Sequence, residues 1–199
     1  MRTHVDVVCF DLMDTVLRDP YREALRAGAG VPLRALGAHR DPGVWPAFER
    51  GEIEEAELAR RYFVEGSGLR LDMDAFHRAR REGYAFLPGM RALLVALEGR
   101  VRRVAASNYP RWIDELTRDF ALDTLFEARV VSCDIGARKP DAPFYEKVLE
   151  ASGAAATRCL FVDDRAENCA AAERHGMRAH VFVDAARLQL ELTRLGVVV

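Results

Sequence analysis

VDVVCFDLMDTVL, residues 5–17, decides the fold: VDVVCF is almost wholly apolar and rich in β-branched residues, and it gives way to polar residues at Asp11. A short hydrophobic run without polar alternation is the pattern of a strand buried on both faces, as in a parallel sheet covered by helices. Similar runs recur at 101–106, 129–131, 159–162 and 179–183. Segments of helical spacing separate them at 90–97, 111–120, 143–151, 166–174 and 185–195, the last with Leu188, Leu192 and Leu195 on one face. The alternation predicts an α/β fold, a parallel sheet with helices on both faces.

One stretch breaks this rhythm. Residues 18–87 hold no convincing strand, while 49–64 and 73–86 read as charged amphipathic helices with Gly and Pro punctuation. An insertion of that length is too long for a loop and must be a helical subdomain. The predicted organisation is a Rossmann-like core, residues 1–17 and 88–199, carrying this insertion after its first strand.

The 199 residues suffice for a sizeable core, and their composition is that of a soluble globular protein. No apolar run approaches the ~18 residues of a membrane span. A net charge of -2 gives no whole-chain attraction to nucleic acid or anionic lipid. Cys9, Cys133, Cys159 and Cys169 form no CxxC pair, and the N-terminal stretch lacks a signal-length apolar segment, so a reduced, cytoplasmic protein is expected, as a monomer or homodimer. Of 29 basic residues only Lys139 and Lys147 are lysines, so a lysine here asks for a reason.

In open α/β sheets ligands bind at the carboxyl ends of the strands, near the point where strand order reverses. Asp11 follows the first predicted strand, Ser107 and Asn108 the second, and Asp163 and Asp164 the fourth, with Lys139 in a loop after the third. Three carboxylates drawn together repel one another unless a cation joins them, and Mg²⁺ is the hard, oxygen-seeking ion that suits them. A carboxylate nucleophile, a metal, a lysine and a hydroxyl together suit phosphoryl transfer through an aspartyl-phosphate on a small phosphorylated molecule.

FDLMDTVL at 10–17, AASNYP at 105–110, GARKPDAPFY at 136–145 and FVDDRAENCAAAERHGM at 161–177 resemble the four ordered motifs of the haloacid dehalogenase superfamily. The insertion falls where members with a helical C1 cap carry theirs. The resemblance implies Asp11 as nucleophile, Ser107 with Asn108 as phosphate ligands, and Lys139 as charge stabiliser. It implies Asp163 and Asp164 as metal-side acids, joined by the main-chain carbonyl of Met13. Relatives with this Met-Asp-Thr variant include plant proteins that hydrolyse flavin mononucleotide (FMN), which makes an aromatic or nucleotide phosphate the expected substrate.

The chain departs from the family at Met13. Phosphatases of the superfamily carry there a second aspartate that protonates the leaving group and later activates water, and losing such help costs about 10²–10⁴ in rate. His39, Asp41 and His77 of the insertion are candidate donors. Two other readings follow from Met13: a metal-independent 2-haloacid dehalogenase, and a binding or regulatory protein with weak chemistry. The first would leave Asp163 and Asp164 as a repulsive pair opposite Asp11.

Blander roles stand beside several of these. Asp163, Asp164 or Ser107 could cap a helix, and Asn168 could support the metal site or simply occupy a helical turn. Trp45, Phe48, Tyr62 and Phe63 read first as packing core, and HRARR at 77–81 as a solvated helix face. GAGVPL at 28–33 lacks the glycines and preceding strand of a dinucleotide site.

Overall fold

Burial on both faces is what the first apolar run delivers. The structure is a computed structural model describing residues 4–197. In it β1 (Val7–Phe10) is covered on each side and lies at the centre of a five-stranded parallel sheet. Val8 and Phe10 face one apolar layer, Val7 and Cys9 the other. The chain continues through α1 (Tyr21–Ala29), α2 (Val44–Glu49), α3 (Glu55–Arg61), α4 (Met73–Gly83) and α5 (Met90–Ala96) before β2 (Arg102–Ser107). Then come α6 (Ile113–Asp119), α7 (Leu122–Leu125), β3 (Ala128–Val131), α8 (Ser132–Ile135), α9 (Ala142–Ser152), β4 (Cys159–Asp163), α10 (Ala166–Arg174), β5 (Arg178–Val181) and α11 (Ala185–Arg194).

The strand order is β3-β2-β1-β4-β5, so the chain leaves β1 toward one edge and later returns to its other side. The crevice at that reversal opens beside the end of β1. Phe10 pairs with Ala105 of β2 and Val162 of β4, which sets the register at that edge. Leu93 and Leu94 of α5, Ile113 and Leu116 of α6, and Leu188 and Leu192 of α11 cover the Phe10 face. Phe144, Tyr145 and Val148 of α9 and Ala171 and Ala172 of α10 cover the Cys9 face. This is the α/β Rossmann-like architecture that the alternation predicts, and each large side chain withdrawn from water contributes about 1.5–3 kcal/mol to it. No helix among the described residues is long and apolar enough to cross a membrane.

Helices α1 to α4 gather around an apolar cluster of their own that includes Leu25, Val44, Leu58 and Phe76. Their two connections to the sheet pair with each other: the Arg18 N–H donates to the Ala85 carbonyl at 2.8 Å and the Leu87 N–H to the Val16 carbonyl at 2.9 Å. Two expectations about this region need correcting. The helix expected over 49–64 is interrupted at Gly51, whose φ of 70° is left-handed and whose missing Cβ would stand 2.9 Å from the Cys133 carbonyl oxygen. Helix α1 was not anticipated; it packs against α4 through Gly28, where a Cβ would meet the Asp72 carbonyl oxygen at 2.8 Å.

Candidate active site

β1 ends at Phe10, yet the Asp11 N–H still donates to the Val162 carbonyl at 2.8 Å, which brings Asp11 level with Asp163 at the end of β4. Between them lies Lys139, 2% exposed, with Nζ 2.8 Å from Asp11 Oδ1 and 2.7 Å from Asp163 Oδ2. The lysine arrives from the loop between α8 and α9, and Asn108 holds that loop in place. Asn108 Oδ1 accepts the Lys139 N–H at 2.7 Å, and Asn108 Nδ2 donates to the Lys139 carbonyl at 2.9 Å. A residue just past β2 thus aims a lysine at two other strands.

Burial works against charge on Lys139, but Asp11 and Asp163 outweigh it and hold the ammonium above the usual lysine range. The Asp11 carboxyl is also raised: burial is the main cause, Lys139 opposes it, and the charges of Asp163 and Asp164 add to it. The two shifts pull opposite ways on the Lys139–Asp11 pair. We take the ammonium as the fixed charge because two carboxylates face it. One cation therefore bridges two acids, with the charge of Asp164 nearby.

Asp11, Asp163 and Asp164 each offer an oxygen, and these oxygens lie within 4.8 Å of one another. Three close carboxylate oxygens fit a hard divalent cation such as Mg²⁺. The acids are not equivalent. Asp163 Oδ1 accepts the Arg165 N–H and Asn168 Nδ2, each at 2.9 Å, while its Oδ2 is taken by Lys139 and, at 3.1 Å, by Asn168. Asp164 is exposed toward the cavity. Asn168, left open between two roles by the sequence, is a clamp on Asp163.

Ser107 stands two positions past the residue that pairs with Phe10, fully buried, and its Oγ has no hydrogen-bond partner. The next residue, Asn108, lines the cavity together with Met13. Asp14 takes a left-handed φ of 53°, which an aspartate tolerates.

The cavity above these groups measures about 410 Å³, within the range of small-molecule sites. Its walls include Tyr21, Trp45, Phe76, Tyr84, Tyr109 and Trp112, with Arg40, Arg80 and Arg138 among them. Trp45 is thus both packed and wall, whereas Phe48, Tyr62 and Phe63 are buried in the insertion. Two sequence expectations fail here. HRARR at 77–81 is not simply a solvated face: Arg80 is 2% exposed, bonded to Glu115 of α6 and stacked 4.5 Å over Trp112. His39, Asp41 and His77 do not line the cavity, and His77 Nε2 instead sits 3.0 Å from Glu55 Oε2. Sequence spacing could not find Arg80, Tyr84 or Glu49, because the contacts that place them join distant segments. Glu49 meets Arg138 at 2.7 Å.

A model of the haloacid dehalogenase-like hydrolases matches residues 5–176 of the chain. The chain is 36% identical over 192 residues to flavin mononucleotide hydrolase 1 of Arabidopsis thaliana, a chloroplastic protein by name, covering 96% of this chain and 78% of the relative. It is 32% identical over 170 residues to a sesquiterpene phosphatase of Aspergillus oryzae, covering 83% and 85%. Its fold is similar to that of a HAD family enzyme of Bacteroides thetaiotaomicron solved in complex with magnesium and inorganic phosphate, with a TM-score of 0.71 at 17% identity over 92% and 98% of the two chains.

Proposed function

The chain belongs to the haloacid dehalogenase-like hydrolases, and from that membership we propose that it is a Mg²⁺-dependent phosphatase working through an aspartyl-phosphate on Asp11. The observation that carries this reading is Lys139 clamped between Asp11 and Asp163 at 2.8 and 2.7 Å beside the open carboxylate of Asp164. A dehalogenase needs no second and third carboxylate at its nucleophile, whereas a phosphatase that binds a divalent cation does. Mg²⁺ held by Asp11, Asp164 and the Met13 carbonyl would neutralise charge on the transferring phosphoryl group.

The residues divide the remaining work. An oxygen of Asp11 attacks phosphorus, and Lys139 opposes the burial that raises that carboxyl and supports the phosphoryl charge. Asp163, saturated by Lys139, Asn168 and the Arg165 N–H, orients the lysine. Ser107 offers its unpartnered hydroxyl, and Asn108 its second amide hydrogen, to phosphoryl oxygens. Residues 18–87 act as a cap over the core of 1–17 and 88–199, walling the cavity and excluding water.

For substrate we propose FMN or a related aromatic phosphate. Its support is the Arabidopsis relative's name together with six aromatic side chains around the cavity. Arg40, Arg80 and Arg138 among those walls suit a polar planar ring better than a hydrocarbon. The four cysteines are all free and buried, which supports a reducing compartment such as the cytoplasm. Phosphate release from FMN with Mg²⁺, measured beside halide release from a 2-haloacid, tests the reading. Phosphate alone is expected, and halide alone, with Asp163 and Asp164 dispensable, would replace the phosphatase by the dehalogenase that Met13 also permits.

A further inference from the structure

Hydrolysis of an alkyl phosphate needs a proton for the leaving oxygen and then a base for water, and Met13 supplies neither. We propose that Asp19 performs both transfers, as general acid toward the leaving group and general base toward water. This rests on the phosphatase reading.

The turn after β1 brings Asp19 back to the site. Val16 and Leu17 close onto the Leu12 carbonyl at 2.9 and 2.8 Å, and the Asp14 N–H donates to the Leu17 carbonyl at 2.6 Å. The Asp19 N–H then donates to Asp14 Oδ1 at 3.0 Å. Asp19 is thereby pinned against a residue three positions from the nucleophile, and it lines the same cavity as Asp11. Asp19 Oδ1 accepts the Tyr21 N–H at 2.9 Å, which fixes the carboxyl plane, while Oδ2 has no hydrogen-bond partner among the described residues.

Facing Asp19 are the carboxylates of Asp14, Glu23 and Glu49 and the hydroxyls of Tyr84 and Tyr109. Burial is the main force on its carboxyl; the Tyr21 N–H opposes, the three carboxylates add, and the result is pushed up to about 6. Both protonation forms are then accessible near neutrality, as alternating acid and base work requires. The other cavity groups fit less well. Glu49 is held by Arg138 and by Trp45 Nε1 at 2.8 Å, and burial keeps the Tyr84 and Tyr109 hydroxyls protonated.

The atoms balance in two steps. As Asp11 forms its bond to phosphorus, the ester P–O bond breaks and its electron pair takes the proton of Asp19. The Asp19 carboxylate then removes a proton from water as the water oxygen attacks phosphorus. The Asp11–phosphorus bond breaks, inorganic phosphate leaves, and Asp19 is again protonated.

Asp19→Asn keeps the acceptor for Tyr21 and removes the proton, so the fold is retained while the chemistry is probed. Turnover is measured with Mg²⁺ on FMN, an alkyl ester whose leaving group needs a proton, and on p-nitrophenyl phosphate, whose leaving group does not. Leaving-group release in the first turnover is expected to slow about 10²-fold or more on FMN and less than about tenfold on the aryl ester, while steady-state turnover falls on both because they share the water step. The fall in wild-type FMN turnover as pH rises through about 6 should vanish with it. Equal slowing of first-turnover release from the two esters, or unchanged steady-state turnover of FMN, overturns the assignment while leaving the phosphatase intact. A wild type that frees no phosphate from either ester overturns both.

Discussion

Nζ of Lys139 sits buried between two carboxylates, whereas Lys147 pairs with Glu150 at 2.7 Å on an exposed face of α9. An arginine keeps the charge but not the compact shape, and its planar fork cannot occupy the position between Asp11 and Asp163. Lys139→Arg should therefore lower phosphatase turnover by roughly 10²-fold, the scale of losing a group aimed at developing charge, and Lys147→Arg should leave it unchanged. Steady-state turnover of the two variants checks this. Asp19 carries a second residue-scale prediction. Its carboxyl is raised from 3.8 to about 6 by burial, so the folded state binds the proton more tightly than the unfolded chain and stability falls as pH rises through that window. Asp19→Asn should gain about 1–2 kcal/mol at pH 7, discounted for its partial exposure, and nothing near pH 4. Urea midpoints at the two pH values read the difference, and a loss at pH 7 would make Asp19 a structural acid. The charged groups at the strand ends were legible because chain order and the β-strand pattern place them; Asp19 was not, because a turn closed by hydrogen bonds carries it there.

At the scale of elements, the strands were read from the sequence to within about two residues, most plainly β1 and β4, because a strand buried on both faces has no polar alternation to blur it. The insertion was harder. Helix α1 was missed since its burial depends on α4, and the close approach at Gly28 is a tertiary fact that no local pattern records. Gly28→Ala adds a methyl group where the Asp72 carbonyl oxygen lies at 2.8 Å and Leu71 Cδ1 at 2.9 Å. It should cost about 1–3 kcal/mol despite alanine's better helix propensity, read as a lower urea midpoint with an unchanged slope. An unchanged midpoint would mean that α1 and α4 separate at little cost. Arg80 makes the same point: its charge places it on a solvated face by sequence, and only the folded chain brings Glu115 and Trp112 to it.

Across the whole molecule the chemistry is divided. One sheet edge gathers Asp11, Lys139, Asp163 and Asp164, while the helical insertion provides the Tyr21, Trp45 and Phe76 walls. Contacts join the two parts around the cavity, among them Trp112 Nε1 to Glu55 Oε2 at 2.7 Å and Arg138 to Glu49 at 2.7 Å. A cluster of three carboxylates that fits a divalent cation thus sits in a chain whose net charge is only -2. The central coupling is that of Asp11 to metal and phosphate, and inorganic phosphate freed from FMN measures it directly. Release is predicted from the wild type with Mg²⁺, and none with excess EDTA or with Asp11→Asn; release that persists in EDTA, or that survives Asp11→Asn, would contradict it.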